Sequence, residues 1–321
     1  MSAIDATAFA VHDDAFLDVL GPAPRLERVI ATDAHEGPVH VAAEDALYFT
    51  TVPRPGPAGP LVAIRRLALD TGALTTVRAD ANAANGMSLS PDGRLVVCEQ
   101  GSRATAAAIT LVDPATGAAE TLVEAAGGLP LNSPNDVVIG RDGAVWFTDP
   151  AYGHLQGFRP APRVLDRVYR LDPRGAGLAA VADGFDKPNG LALSPDERTL
   201  YVGDSGAIHA PGDYDPRRPR RVFAIDVTDP ARPGAPRPFG PTVPGFPDGL
   251  KVDAAGRVYV SCDRGVLVLD PGGRLIGEIA VPGGAVNFTL GGTDRDVLLI
   301  TADDAIWAAR LDPPNPTEPQ P

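Results

Sequence analysis

Short apolar runs, alternating or continuous and each opened by a polar turn, recur six times along the chain. They read AAEDALYFT (42–50), SPDGRLVVCE (90–99), GRDGAVWFTD (140–149), SPDERTLYVGD (194–204), DAAGRVYVSC (253–262) and GTDRDVLLITA (292–302). The Asp-Gly pairs are hairpin-turn chemistry, and runs rich in Val, Tyr, Phe and Thr predict strands. Counted from the first apolar residue of each run (Leu47, Leu95, Val145, Leu200, Val258, Val297), successive copies lie 48, 50, 55, 58 and 39 residues apart. A second apolar run follows each first one and closes on an aspartate: Asp70, Asp113, Asp172, Asp226, Asp270 and Asp312. Asp followed by Pro or Thr-Gly starts a turn, so these positions are strand ends as well. Six copies of a repeat this long, several strands each, predict an all-β fold, a six-bladed β-propeller. A β-sandwich would not keep this register, and a β-solenoid needs a shorter repeat.

The two ends fall outside the repeat. Residues 1–25 form an N-terminal extension in which Phe9, Phe16, Leu17 and Leu20 predict a short helix packed on the propeller. Residues 26–312 make the single propeller, and the proline-rich stretch 313–321 is expected to be disordered. The polar segment 210–221 predicts a long loop overhanging one face. Composition agrees with short strands: Gly 35 and Pro 34 break up long helices. No apolar stretch approaches the ~18 residues of a membrane span. With 28 basic against 41 acidic residues and a net charge of −13, the chain carries no nucleic-acid footprint. The N-terminus lacks a basic segment and carries Asp13 and Asp14 inside its apolar part, which is not a secretion signal and makes the cytoplasm the expected location. Cys98 and Cys262, far apart in sequence, read as buried free thiols. Oligomeric state leaves no signal.

Ten or eleven residues before each first apolar position stands an Asn, Asp or Glu: Glu36, Asn85, Asn135, Asn189, Asp248 and Asn287. Taken singly, an Asn-Gly or Asp-Gly pair is turn chemistry. Taken together, six polar residues at one phase have a stronger consequence. The first strand of a propeller blade lines the central channel, and equal phase brings these side chains to one mouth of it. Two carboxylates aimed at one point are costly unless compensated, and no Lys or Arg stands at the six positions. A central metal site at one mouth of the channel follows. The all-oxygen donor set favours one divalent cation, Ca²⁺ first, with Mn²⁺, Mg²⁺ or Zn²⁺ as the other candidates. Asn85 and Asn287 would then hydrogen-bond a substrate, with Tyr152 bordering the pocket and Arg103 gripping it. No Gly-X-Ser-X-Gly elbow, P-loop or dinucleotide fingerprint occurs.

The phrases HEGPV, LNSPNDVVIGRDGAVWFTDPAYG, KPNGLALSPDERTLYVGDS and FPDGLKVDAAGRVYV resemble the SMP-30/gluconolactonase family from about residue 30 to 302. The resemblance implies a six-bladed propeller that holds a divalent cation at its axis and hydrolyses small-molecule lactones. It puts the metal ligands at Glu36, Asn135, Asn189 and Asp248, and makes Asp248 the general base or the residue that orients the attacking water. A related branch hydrolyses phosphotriesters, so a phosphotriesterase-like or natural-product pathway hydrolase is the second expectation. A non-catalytic binding propeller with a structural metal is the third. The chain departs from the family at Glu99-Gln100-Gly101-Ser102-Arg103, where many bacterial members carry Glu-His-Gly and then arginines. Gln100 replaces that histidine and only Arg103 remains of the basic pair, a change that bears on the usual aldonolactone preference.

Overall fold

In the computed structural model, which describes residues 6–172, 177–292 and 296–311, each of the six apolar runs is the second strand of an antiparallel sheet. Asp312 and the tail 313–321 lie outside the described residues. Blade 1 is Ala34–Val41, Ala46–Thr51, Ile64–Ala68 and Leu74–Arg78. Blade 2 is Ala84–Leu89, Leu95–Glu99, Ala108–Val112 and Ala119–Val123. Blade 3 is Val137–Ile139, Val145–Asp149, Arg167–Asp172 and Gly177–Ala182. Blade 4 is Pro188–Leu193, Thr199–Asp204, Arg221–Asp226 and Arg237–Phe239. Blade 5 is Leu250–Val252, Val258–Cys262, Gly265–Leu269 and Leu275–Ala280. Blade 6 takes Asn287–Gly291, Val297–Thr301 and Ala305–Arg310 from the C-terminal end.

Its fourth strand, Arg25–Ala31, comes from the start of the propeller and pairs with Ala305–Arg310, closing the ring between the two ends of the chain. The extension ahead of it does more than form a helix. Phe9–Val11 adds a fifth strand to blade 5. After a turn capped by Asp13 and a four-residue helix, Leu17–Leu20, the chain runs on to the closing strand. Phe16 is fully buried against Gly277, where any Cβ would collide with its ring.

The apolar core is divided into six wedges, each between two neighbouring blades. Tyr48, Ile64, Leu95 and Val97 fill the wedge between blades 1 and 2, and Phe147, Tyr169, Ile109 and Val96 that between blades 2 and 3. The other four repeat the arrangement, the fifth also taking in Phe16, Val19 and Leu20 of the extension. Both cysteines are buried and free. Among the described residues, no helix is long and apolar enough to cross a membrane.

Around the axis the first strands touch in the order 1-2-3-4-5-6-1. Their approach is close because a glycine follows four of the six polar ring residues. A Cβ on Gly37 would stand 2.5 Å from the Asn85 carbonyl oxygen, and one on Gly86 2.6 Å from that of Asn135. The Asn-Gly pairs at 85–86 and 189–190 lie inside strands, so close packing and not turn formation calls for these glycines. Gly190 is the sharpest case, its Cβ position lying against the Asp248 backbone and 2.9 Å from the Leu250 nitrogen. Gly190→Ala is expected to cost about 2–3 kcal/mol by forcing blades 4 and 5 apart. A denaturant midpoint unchanged from wild type would refute this.

Candidate active site

The polar ring is held by a belt of hydrogen bonds that crosses every blade boundary. Thr50 Oγ1 donates to the Asn85 carbonyl at 3.3 Å, and Gly86 N to the Asn135 carbonyl at 2.8 Å. Thr148 Oγ1 donates to the Asn189 carbonyl at 2.8 Å, and Gly190 N to that of Asp248 at 3.1 Å. Gly249 N donates to the Val286 carbonyl at 3.3 Å, and Asn287 Nδ2 closes the belt on Glu36 Oε2 at 2.8 Å. Buried backbone groups are thereby satisfied, and the six polar residues are fixed at one end of the channel.

Two further carboxylates set the approach of the chain to this ring. Asp149 accepts from the backbone nitrogens of Asn132 and Ser133 at 2.9 and 2.8 Å, two residues ahead of Asn135. Asp204 does the same for Asp186 and Lys187 at 3.0 and 2.9 Å, ahead of Asn189. They are fully or nearly buried anchors of the inter-blade links, not simple turn residues. Burial pushes the Asp149 carboxyl up to about 7 despite those two donors.

All four residues expected to ligate a cation lie at the ring. Glu36, Asn135 and Asn189 are buried, while Asp248 is half-buried. A residue missed by sequence reasoning joins them. Asp136, 2% exposed, occupies the position that glycine holds after Glu36, Asn85, Asn189 and Asp248. Its Oδ1 accepts from Val137 N at 2.8 Å and lies against Gly86, in the space that the missing Cβ leaves. The signal was present as Asn-Asp among Asn-Gly repeats, and only packing shows its meaning.

Three carboxylates crowded at the axis resist ionisation. Burial, then the charges of Asp248 and Asp136, hold the Glu36 carboxyl well above its ordinary range. Burial pushes Asp248 up to about 7, with Asp136 adding and a hydrogen bond from Asn189 opposing. Asp136 is raised by burial, against the opposing charge of Lys251. That lysine, on the first strand of blade 5, is a cation in the channel wall that the six-position ring does not include.

Asn135 Oδ1 and Asp136 Oδ2 are buried and have no hydrogen-bond partner. Orphaned acceptors beside two further carboxylates are what a hard divalent cation would satisfy. Among the described residues, no group of three or more His, Cys, Asp or Glu is placed to hold a metal. Amide oxygens must therefore complete the set, which is how Glu36, Asn135, Asn189 and Asp248 would do it.

The residues expected to meet substrate separate into two groups. Tyr152, in the short helix Tyr152–Leu155, is buried, and its hydroxyl has no hydrogen-bond partner although it lies beside Asn189, Ser205 and Asp248. Asn85 donates its amide to the Asn135 carbonyl at 3.0 Å and stays at the ring. Asn287 spends its amide inside the protein, donating to Glu36 and accepting from Phe288 N at 2.8 Å, so it braces a ligand candidate. Arg103 is exposed and donates to the Gly157 carbonyl, joining two loops on the ring side. Arg159, which no spacing marks, ties the same loops from within. It donates to the carbonyls of Asn132, Ser102 and Thr105 at 3.1, 3.0 and 2.9 Å.

The walls around the mouth are uneven. Between second and third strands, blades 1 to 4 insert residues 52–63, 100–107, 150–166 and 205–220, whereas blades 5 and 6 insert only 263–264 and 302–304. The long loops of blades 1 to 4 therefore stand at the ring end of the channel, and blades 5 and 6 leave it low-walled.

The chain as a whole is similar to known proteins. The family model for the SMP-30/gluconolactonase/LRE-like region matches residues 34–304. A gluconolactonase of Zymomonas mobilis is 31% identical over 332 residues, covering 95% of this chain and 85% of its own. The lactonohydrolase oryL of Aspergillus oryzae is 29% identical, over 87% of this chain and 69% of its own. The solved structure of a gluconolactonase from Xanthomonas campestris superposes with a TM-score of 0.82 at 32% identity, covering 97% of this chain and 98% of that one. With matching motifs, a matching propeller and a family model spanning nearly the whole ring, the chain belongs to the SMP-30/gluconolactonase/LRE-like family.

Proposed function

We propose that the protein is a lactone hydrolase that depends on a divalent cation, Ca²⁺ by its donor set, held by Glu36, Asn135, Asn189 and Asp248. The observation that carries the cation is the pair of orphaned acceptors, Asn135 Oδ1 and Asp136 Oδ2, buried beside Glu36 and Asp248. The lactone substrate class comes from the gluconolactonase and lactonohydrolase relatives. When bound, the cation supplies Lewis-acid polarisation of the lactone carbonyl. Asp248, the half-buried carboxylate of the ring, takes a proton from the water that attacks the acyl carbon. The ring C–O bond then breaks, and the leaving oxygen takes up a proton to give the hydroxy acid. Tyr152, with its free hydroxyl beside Asp248, orients the lactone, and Asn85 keeps the ring in register beneath it. Arg103 contacts the substrate from the rim once it releases the Gly157 carbonyl.

The direct test is hydrolysis of a small lactone panel, corrected for spontaneous opening, before and after chelation and with Ca²⁺, Mn²⁺, Mg²⁺ or Zn²⁺ restored. Activity is expected to vanish with chelator and to return with Ca²⁺. Folded, cation-loaded protein that opens no lactone would refute the proposal and turn attention to phosphotriesters, where the Gln100 departure points to a different pocket. A cation that raises thermal stability without turnover of either class would leave a binding propeller.

A further inference from the structure

A groove of about 410 Å³ lies on the flank of blade 3, outside the first strands that line the channel. Its floor is the third and fourth strands of the blade, with Arg167, Tyr169 and Leu178. Its walls are the short hairpin of Ala125–Ala126 and Leu129–Pro130 and the end of the long loop at residues 163–165. A volume of this size suits a small molecule. Leu165, at 61% exposure, is the most exposed large apolar side chain among the described residues, and with Val164, Leu129 and Leu178 it makes the groove largely apolar.

The floor of this groove holds polar groups that the fold leaves unsatisfied. Tyr169 is 2% exposed, its ring stacked on Phe147 with centroids 5.5 Å apart, and its hydroxyl has no hydrogen-bond partner. Arg167, two residues earlier on the same strand and so on the same face, has an unpartnered Nε as well. Its Nη2 reaches Asp183 only at 3.5 Å, and Arg163 at the rim forms no ion pair among the described residues. A buried donor without an acceptor is costly, and a bound acceptor would recover that cost. Of the two guanidinium charges one faces Asp183, which leaves one to be matched by a single anionic group. We propose that the groove binds a small monocarboxylate with an apolar body, its carboxylate accepting from the Tyr169 hydroxyl and Arg167 Nε. The site is separate from the axial ring and needs no cation, so its test is independent of the lactone panel.

Calorimetric titration of the full chain with octanoate at neutral pH is expected to show one saturable site, with a dissociation constant on the order of 0.1–1 mM. Octanol, which lacks the charge, and acetate, which lacks the apolar body, are expected to bind at least about tenfold more weakly. Tyr169→Phe keeps the ring and removes the hydroxyl, and is expected to weaken octanoate about tenfold. Its thermal midpoint is expected to equal or exceed that of wild type, since a buried hydroxyl without a partner stabilises nothing. Arg167→Met is expected to weaken octanoate by a similar factor, about tenfold, and Arg167→Gln carries the same comparison if the methionine variant fails to fold. No saturable octanoate binding below about 5 mM overturns the proposal. Octanol binding as tightly as octanoate overturns it too, because the groove would then be an apolar patch alone. So does octanoate affinity unchanged in both variants, which would put the ligand elsewhere. A Tyr169→Phe protein that melts below wild type also overturns it, because the hydroxyl would already be bonded inside the fold.

Discussion

Asp248→Asn is expected to lower the rate of lactone opening by a factor of about 10²–10⁴, the usual contribution of a positioned general base, while the propeller stays folded. The replacement keeps the shape of the side chain and a carbonyl oxygen for the cation, so cation binding weakens without being lost. It removes the least buried carboxylate at the ring, and Glu36 and Asp136 lie too deep to replace it. Folding should not suffer, because Asp248 is one of three carboxylates crowded at the axis and burial already pushes it up to about 7. The thermal midpoint of the cation-free variant is expected to equal or exceed that of wild type. Paired measurements of kcat and thermal midpoint check this. A variant retaining more than a tenth of wild-type kcat would exclude Asp248 as the base. A variant that lost activity only by unfolding would show the residue to be structural.

Much of this architecture was legible from the chain. The recurring turn-strand phrase, with Leu47, Leu95, Val145, Leu200, Val258 and Val297 at its head, gave both the number of blades and the second strand of each. Strand alternation is a local property, and six copies of it override any single ambiguity. The phase of Glu36, Asn85, Asn135, Asn189, Asp248 and Asn287 located the ring because equal phase in a closed propeller is equal depth. What stayed hidden depends on distance through space. Asp136 looks like any acidic residue before a strand until the glycines of neighbouring blades make room for it at the axis. The row of hydroxyls Thr50, Thr148 and Ser261 sits three residues past the head of its strand in blades 1, 3 and 5, a regularity visible in retrospect. All three are fully buried, and Thr50 and Thr148 carry the belt to the next blade. The extension was legible only in part: its helix, Leu17–Leu20, is there, and a strand ahead of it is an addition. Its apolar residues at 9, 16, 17 and 20 fit a helical face, but strand pairing with blade 5 satisfies Phe9–Val11 through edge hydrogen bonds that no local pattern announces.

Calcium is expected to stabilise the protein by an amount that grows as pH rises from about 5 to 8. The sign follows from the axial carboxylates. Glu36, Asp136 and Asp248 are all raised in the folded state, Asp248 to about 7, above their ordinary values near 4. Between those limits the folded protein binds more protons than the unfolded chain, so without a cation its stability falls as pH rises through the window. As pH falls these raised carboxyls take up protons, and a cation must displace them to bind. As pH rises past about 7 Asp248 ionises, and the cation relieves the cost of its charge. At calcium a thousandfold above its dissociation constant the gain is about 4 kcal/mol, or roughly 6 °C in the thermal midpoint of a domain this size. Melting curves with calcium and with chelator, at pH 5, 6.5 and 8, measure both slopes. A calcium increment independent of pH would mean that the cation binds away from these carboxylates. A cation-free protein more stable at pH 8 than at pH 5 would mean that they ionise in the fold at no cost, and that the channel mouth is wetter than their burial implies.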